Sequence, residues 1–440
     1  MTALVRYPIR GAGANEIAGS VEGALRSGAL GPGAVLPPVR ALAAELHVSP
    51  ATAAAAYRLL KARGLASGQG RRGTRLTPRP PLRTPAPAPI PEHLRDVASG
   101  NPDAAFLPRL PIRAIDPTPR LYGGERVQPR LLARGRRLLE ADGVPAGFLT
   151  VVAGALDGVE RVLLAHLRPG DRVAVEDPGY TGVLDLVSGL GLVPEPVALD
   201  DFGMKPESLD EALQTGARAV IVTPRAQNPT GAALDARRAR TLSALLDRHP
   251  DVLLLEDDHA GSVAGVAAHT LAHERRVRWA VARSVSKSLG PDLRLAFLAG
   301  DETTIARVEG RQYLGSGWVS HVLQQLVLAL LSDPRVEERL RMAAETYATR
   351  REALIAALGG HGVAATGRSG MNVWIPVPEE QSVVAGLGAA GFAIRAGERY
   401  RLRSAPGVRV TTAALRPEET RLIADAFAAV LGPSARTRSA

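Results

Sequence analysis

Three groups of residues in this sequence have types and spacings that could do chemistry. Lys287 ends the polar run Ser284-Val285-Ser286-Lys287 and is followed by Pro291 and Arg294. A lysine amine that can lose its proton attacks carbonyl carbon, and a fixed arginine nearby offers a cation to a dianion. On its own, such a lysine is as a rule a solvated surface residue. A second group is acidic and sits where apolar runs end: Val252-Leu253-Leu254-Leu255 leads into Glu256-Asp257-Asp258, and Val173-Ala174-Val175 into Glu176-Asp177-Pro178-Gly179-Tyr180. A carboxylate in that position either works as a charged partner for a ligand or caps the next helix. Tyr180 reads either as a core aromatic or as a flat face for a ligand. Gly154-Ala155-Leu156 opens an amphipathic stretch, so its amides stand where a helix start attracts phosphate. Asn228-Pro229-Thr230-Gly231 reads, alone, as a turn.

The third group is cationic. The net charge of +10 is concentrated at one end: residues 1–76 hold ten Lys/Arg against three Glu, residues 77–91 add Arg79 and Arg83, and the rest is close to neutral. A small basic region on a neutral body points to a polyanion such as double-stranded DNA. The chain has no cysteine, which excludes disulfides and thiolate metal sites, and no metal site is expected. Residues 1–10 lack the apolar core of a signal peptide, and no run of about 18 apolar residues occurs elsewhere. The expectation is a soluble, cytoplasmic protein without a membrane span.

The elements that must position these groups follow from periodicity. At 440 residues the chain is too long for one ordinary core. Seven prolines fall between Pro78 and Pro91, which favours extended, semi-rigid backbone and reads as a linker. Beyond it, continuous apolar runs alternate with amphipathic stretches such as 158–167 and 236–247. That pattern predicts a mostly parallel sheet covered on both faces, with ligands beyond the carboxyl ends of its strands. The organisation read from the sequence is residues 1–76 as an N-terminal domain, 77–91 as linker, 92–334 as a large α/β domain and 335–440 as a smaller one. Within the first, helices are expected over 15–27, from Leu36 to about Leu46, and over 50–63. Ser49 caps the third, Pro50 takes its first position and Gly64 its stop. Two short strands around the tip 68–73 complete a winged helix-turn-helix.

Over residues 14–76 the sequence resembles the GntR family of regulators. The resemblance is carried by Leu36-Pro37, Arg40, Leu42-Ala43, Val48-Ser49, Thr52, Ala56-Tyr57, Leu60 and Gly64. It implies that Arg40, Ser49, Thr52 and Tyr57 lie near DNA, with the third helix in the major groove and Arg71 and Arg72 on the wing. The family usually has a basic residue after the capping serine, where this chain has Pro50. Guanine readout by a bidentate arginine from that helix is therefore weaker, leaving more to Arg40 and the wing.

Residues 93–432 resemble fold-type I aminotransferases, which depend on pyridoxal 5'-phosphate. The resemblance implies that Lys287 bonds to the cofactor aldehyde and that Ser284 and Arg294 hold its phosphate. Asn228 then donates to the phenolic oxygen of the ring, Asp257 keeps the pyridine nitrogen protonated, and Tyr180 stacks on the ring. Gly154 and Ala155 stand at the phosphate-binding helix start, although Leu156 replaces the polar residue usual there. Tyr122, in Leu121-Tyr122-Gly123-Gly124, matches a tyrosine that crosses a dimer interface to the partner's phosphate. Arg409, in Gly407-Val408-Arg409-Val410, stands where the family binds a substrate carboxylate. His259 departs from the pattern: a tyrosine normally follows the aspartate by two residues and donates to the phenolic oxygen. A neutral imidazole has one N–H; either it donates in the phenol's place or that bond is missing and turnover suffers.

Together the two halves resemble the MocR subfamily of GntR regulators, in which an aminotransferase-like domain forms a head-to-tail homodimer. The expected function is transcription regulation: pyridoxal phosphate bound, an amine or amino acid or the vitamer itself sensed, and transamination weak or absent. Two alternatives are a genuine aminotransferase with an appended DNA-binding domain, and a regulator whose large domain is a dimerisation scaffold without cofactor. The intact Lys287, Asp257, Asn228 and Arg294 speak against the scaffold, and the basic N-terminal domain against the plain enzyme.

Overall fold

The structure, a computed structural model, describes residues 8–26, 29–31, 33–62, 65–68, 73–76 and 89–432. Gly64, the wing residues Arg71 and Arg72, and residues 77–88 of the linker lie outside the described residues. The chain forms two compact units: Met1–Ala88 with Leu167–Val173 and Asp185–Pro194, and the remainder.

In the first unit, α1 (Ala14–Arg26), α2 (Val39–Glu45) and α3 (Pro50–Ala62) precede a hairpin of β1 (Ala66–Gly68) and β2 (Thr74–Leu76). The helices form because apolar residues recur at helical spacing. Ile17, Val21 and Ala24 of α1 meet Leu42 and Ala43 of α2 and Ala53, Ala56, Tyr57 and Leu60 of α3 in one buried cluster. Burying each of the larger side chains contributes about 1.5–3 kcal/mol. Ser49 Oγ accepts the amide of Thr52 at 3.0 Å, which starts α3 as the sequence suggested. The hairpin pairs Ala66 with Leu76 and Gly68 with Thr74.

The second unit contains the sheet. Its elements run β3 (Arg95–Asp96), α4 (Pro129–Ala141), β4 (Phe148–Val152), α5 (Ala155–His166), β5 (Arg172–Asp177), α6 (Thr181–Gly189), β6 (Val193–Asp200) and β7 (Gly203–Met204). Then follow α7 (Pro206–Gln214), β8 (Ala217–Val222), α8 (Ala236–Asp247), β9 (Leu253–Asp258), β10 (Trp279–Ser284), β11 (Ala296–Gly300), α9 (Glu302–Leu314) and α10 (His321–Ser332). The order in the sheet is β4-β11-β10-β9-β8-β5-β6-β7. Strands β8, β9 and β10 are parallel, while β11 runs against both its neighbours. Every residue of β9, β10 and β11 is buried, as expected of apolar strands covered on both faces.

The last third is α11 (Pro334–Gly360), β12 (Asn372–Pro376), α12 (Glu380–Ala389), β13 (Phe392–Ala393), β14 (Arg395–Ala396), β15 (Gly407–Thr411) and α13 (Pro417–Leu431). Here the expected division at residue 335 needs correction. Helix α11 is continuous, and its Val336, Leu340, Ala343 and Tyr347 belong to the large core, whereas Leu354 and Leu358 belong to the small one. The small core also takes Val97 from the other end of the body, because β3 pairs with β13. The small subdomain therefore begins at the residues that leave the linker, not only at the end of the large sheet.

Candidate functional site

The site lies at the carboxyl ends of the sheet strands, where backbone bends away and side chains are free to converge. Lys287 is carried in the turn after β10; Nζ donates to the carbonyl of Gly100 at 2.6 Å. Burial first, and the nearby Arg409 second, lower its pKa to about 8. A minority of the amine, far more than for a free lysine, is therefore neutral and nucleophilic near physiological pH.

Asp257 and Asp258 close β9 and face opposite ways, as neighbours on a strand must. Asp258 meets the buried guanidinium groups of Arg225, at 2.9 Å, and Arg283, and both arginines also reach Asp142. Burial pushes Asp258 up, but Arg283 and Arg225 outweigh it and hold the carboxyl at about 2. Asp257 has no such help. It is 3% exposed, its Oδ1 has no hydrogen-bond partner among the described residues, and its pKa rises to about 7. The causes are burial and then the charges of Asp258 and Glu176. His259 follows as a half-buried ring whose pKa falls to about 4, through burial and then Lys287, so the imidazole is neutral.

Asn228 stands beyond β8, in a loop fixed from beneath. Gln227 is fully buried; its amide donates to Glu176 and to the Pro178 carbonyl, and its oxygen accepts from Thr230. Glu176 also accepts the amide and hydroxyl of Thr223 at 2.8 Å, yet burial outweighs these bonds and raises it to about 7. Asn228 Oδ1 accepts from Arg409 Nη1 at 2.9 Å. That bond fixes the flip of the amide, leaving its NH2 as the group that can donate into the site.

Tyr180 is half-buried among Asp257, Tyr400, Arg409 and Arg294; burial first, then Asp257 and Tyr400, raise its pKa. Ser284 is buried, with Oγ 2.9 Å from Ser286 Oγ. Arg294 has a left-handed φ of +41°, and its guanidinium donates to the carbonyl of Ala153 at 3.3 Å. This sets it against the start of α5. Gly154 there has φ +103°, and a Cβ on it would stand 2.7 Å from Arg294 Nη2, so glycine is required for the close approach. Ala155 is the first residue of α5.

Arg409, expected to bind a substrate carboxylate, lies on β15 with part of its guanidinium already engaged. It is 3% exposed, and its Nη2 donates to the carbonyl of Ala98 while Nη1 holds Asn228. Its guanidinium also lies 5.3 Å from the centre of the Tyr400 ring. Tyr122 is outside this group: it is 92% exposed, packed edge-on against Trp318 at 5.7 Å. In the first unit Arg40 and Ser49 are exposed, and Thr52 Oγ1 lies 2.8 Å from Ser49 Oγ. Tyr57 corrects the expectation of a DNA-facing side chain. It is 3% exposed and donates its hydroxyl to the Pro37 carbonyl at 2.6 Å, which ties α3 to the start of α2.

Several contributors were missed from the sequence. The carbonyls of Ala98 and Gly100 carry no side-chain signal at all. Asp177 accepts the amides of Leu402, Arg403 and Ser404 and the hydroxyl of Ser404, clamping a small-subdomain loop onto β5. It stood in a quoted motif, but its partners are more than 200 residues away.

A buried lysine with a lowered pKa, an unpartnered buried carboxylate, an amide donor and a glycine-opened helix start beside an arginine fit one group. Asp257 Oδ1 lacks a cationic partner at a depth where a lone charge is costly, and a protonated pyridine nitrogen meets that need. The fold and site define the large unit as a fold-type I, aminotransferase-like body of the kind that uses pyridoxal phosphate. The family "Aminotransferase class I and II" matches residues 143–427, and "Bacterial regulatory proteins, gntR family" matches residues 14–76. The vitamin B6 salvage pathway transcriptional repressor PtsJ of Salmonella typhimurium is 42% identical over 94% of this chain and 98% of its own length. The pyridoxine biosynthesis transcriptional regulator PdxR of Corynebacterium glutamicum is 28% identical over 76% of each chain. Among solved structures, an archaeal alanine:glyoxylate aminotransferase shares the fold with a TM-score of 0.70 at 21% identity, covering 77% of this chain and 90% of that one. The chain belongs to the MocR subfamily of GntR transcription regulators, with a winged helix-turn-helix ahead of an aminotransferase-like domain. No helix among the described residues is long and apolar enough to cross a membrane.

Proposed function

We propose that this chain regulates genes of vitamin B6 metabolism, binding pyridoxal 5'-phosphate at Lys287 and changing its grip on DNA in response. When bound, that group supplies an aldehyde carbon and an electron-accepting ring. The residues suited to hold it are Lys287 as nucleophile, Asp257 at the pyridine nitrogen, Asn228 and His259 at the phenolic oxygen, and Tyr180 against the ring. Ser284, Arg294 and the amides at Gly154 and Ala155 suit the phosphate. Tyr122 is turned outward with Leu121 beside it, which supports a head-to-tail homodimer in which it reaches a second copy. Arg40, Ser49 and Thr52 remain the proposed DNA contacts of the first unit, with Arg71 and Arg72 on the wing.

The observation that carries the choice of effector is Asp257, a buried carboxyl whose Oδ1 has no partner among the described residues, in one site with the readily deprotonated amine of Lys287. An amino-acid carboxylate would call on Arg409, two of whose five N–H groups already serve Asn228 and Ala98, whereas Lys287 and Asp257 are disposed toward the vitamer itself. The similarity to a relative named for vitamin B6 salvage supports the same choice. A second reading, an amine or amino-acid effector, is favoured by the Nε of Arg409, which has no partner among the described residues. His259 has a neutral ring, so it offers a single N–H where a phenol would donate; a true aminotransferase is the less supported reading for that reason. The test is operator binding by fluorescence anisotropy in a salt series. Pyridoxal phosphate alone should change the affinity, and pyridoxal without phosphate or free amino acids should not. A response that requires an amino acid as well would refute the vitamer reading.

A further inference from the structure

We propose that the segment Val97–Gly100 is a latch between the two subdomains, held shut by Lys287 and released when that lysine takes up its ligand, so that the small subdomain carries the signal toward DNA. This rests on the reading of Lys287 as the site of ligand uptake.

The chain emerging from the linker is stitched to the small subdomain before it reaches the site. The amides of Arg95 and Val97 donate to the carbonyls of Gly391 and Ala393, and Thr411 N donates to Val97 O at 2.8 Å. The Arg95 guanidinium is paired with Glu419 of α13 at 2.8 Å, and Val97 is part of the small core. Whatever moves the small subdomain therefore moves the point from which the linker departs.

One to three residues later the same strand of chain meets the site. Asp96 Oδ1 accepts the amides of Ala98 and Ser99, both at 2.9 Å, which fixes the turn and aims the carbonyls. Ala98 O takes Arg409 Nη2, and Gly100 O takes Lys287 Nζ at 2.6 Å. Gly100 has φ +72°, and a Cβ there would lie 3.2 Å from Arg409 Nη2, so the backbone passes as close as a glycine permits. Lys287 and Asn228 belong to the large subdomain; Gly100 and Arg409 belong to the small one. The bonds Lys287–Gly100 and Arg409–Asn228 are thus the two that cross the site. Other ties between the subdomains lie outside it and persist, among them Asp177 to residues 402–404, Gly179 to Tyr400, Ser369 to Ala226 and Gly231, and Gly370 to Ala264, so release loosens the Val97–Gly100 segment against these fixed points.

Lys287 Nζ can hold Gly100 O or a ligand, not both. Condensation of the amine with an aldehyde joins nitrogen to the carbonyl carbon and releases the oxygen as water. The nitrogen would then keep at most one hydrogen, against the two or three of the free amine, and its bond to Gly100 O would be weakened or lost.

The test uses the full-length chain, free of ligand, with operator affinity as readout. Lys287→Ala removes the donor and should shift operator Kd about five-fold or more. Lys287→Arg keeps a donor for Gly100 O but cannot condense with an aldehyde, so its operator affinity should stay near that of ligand-free wild type and should not respond to pyridoxal phosphate. Hydrogen exchange at Ala98 and Ser99 should quicken in Lys287→Ala and stay slow in Lys287→Arg, with the helices of both units unchanged as the check on folding. Equal operator affinity and equal exchange in the two variants would overturn the latch. A wild type that ignores pyridoxal phosphate while the variants still differ would instead refute the proposed effector and leave the latch standing.

Discussion

Asp257→Asn should stabilise the ligand-free protein, and more so as pH rises. In the unfolded chain the carboxyl ionises near 3.8; in the folded chain burial, Asp258 and Glu176 hold it protonated until about 7. Below pH 3.8 both states are protonated and the group costs nothing. Between the two values the unfolded state ionises first, so the native state loses ground, and above about 7 the loss is complete. A shift of that size corresponds to about 4 kcal/mol at the plateau, of which about 1.5 kcal/mol is already present at pH 5. An asparagine never ionises, so the variant should escape a pH-dependent loss of about 3 kcal/mol between pH 5 and 8.5. For a body of this size that is about 4 °C in Tm. The amide has its own cost if its hydrogens find no acceptor, about 1–3 kcal/mol, but that part does not vary with pH. The assay is a set of ligand-free melts of both proteins across this range. With pyridoxal phosphate added, a ring nitrogen that carries a proton should hold the wild-type carboxylate ionised and flatten its curve, while the variant should bind the group more weakly. Parallel curves for the two ligand-free proteins would refute the reasoning, because Asp257 would then not be an unpartnered buried acid.

Other changes should act in equally specific ways. The rate at which borohydride fixes pyridoxal phosphate to Lys287 should rise with pH around a midpoint near 8, and Arg409→Ala should move that midpoint upward, since Arg409 helps to depress it; an unmoved midpoint would place Arg409 out of electrostatic reach. Gly154→Ala should displace Arg294 and strain a φ of +103°, weakening phosphorylated vitamer at least ten-fold while pyridoxal changes little; equal losses for both would remove the phosphate role from this corner. Ser49→Ala should cost the N-terminal domain about 1 kcal/mol through the lost cap of α3, read by its melting transition, and a neutral result would mean that water replaces the serine.

Much of this was readable in the sequence where chemistry is local. The cap at Ser49, the start of α3 at Pro50 and the span of α8 depend on residues within a few positions of one another, and they fall where expected. Lys287, Asn228 and Tyr180 follow strands, Asp257 and Ser284 close them and Arg294 precedes the antiparallel β11, so the strand pattern brings them to one edge of the sheet. What sequence could not give was long-range. Nothing near Arg409 in sequence reveals that Ala98, 311 residues earlier, supplies it with an acceptor. Tyr57 was placed near DNA by the family resemblance, which does not say that Pro37 closes over its hydroxyl. The division at residue 335 failed because a helix of 27 residues can serve two cores in succession.

The square formed by Arg225, Asp142, Arg283 and Asp258 also constrains how this chain can diverge. Two cations and two anions neutralise one another, with only Asp142 partly open to water, and removing a buried member leaves a bare charge costing about 3–5 kcal/mol. Single replacements here are therefore dead ends for drift, although none of the four needs to touch a ligand. Compensated pairs, or wholesale conversion to apolar side chains of similar volume, are the routes left open. Relatives should accordingly show these positions changing together, and a family tree read at this square would record the history of the scaffold independently of the effector it senses.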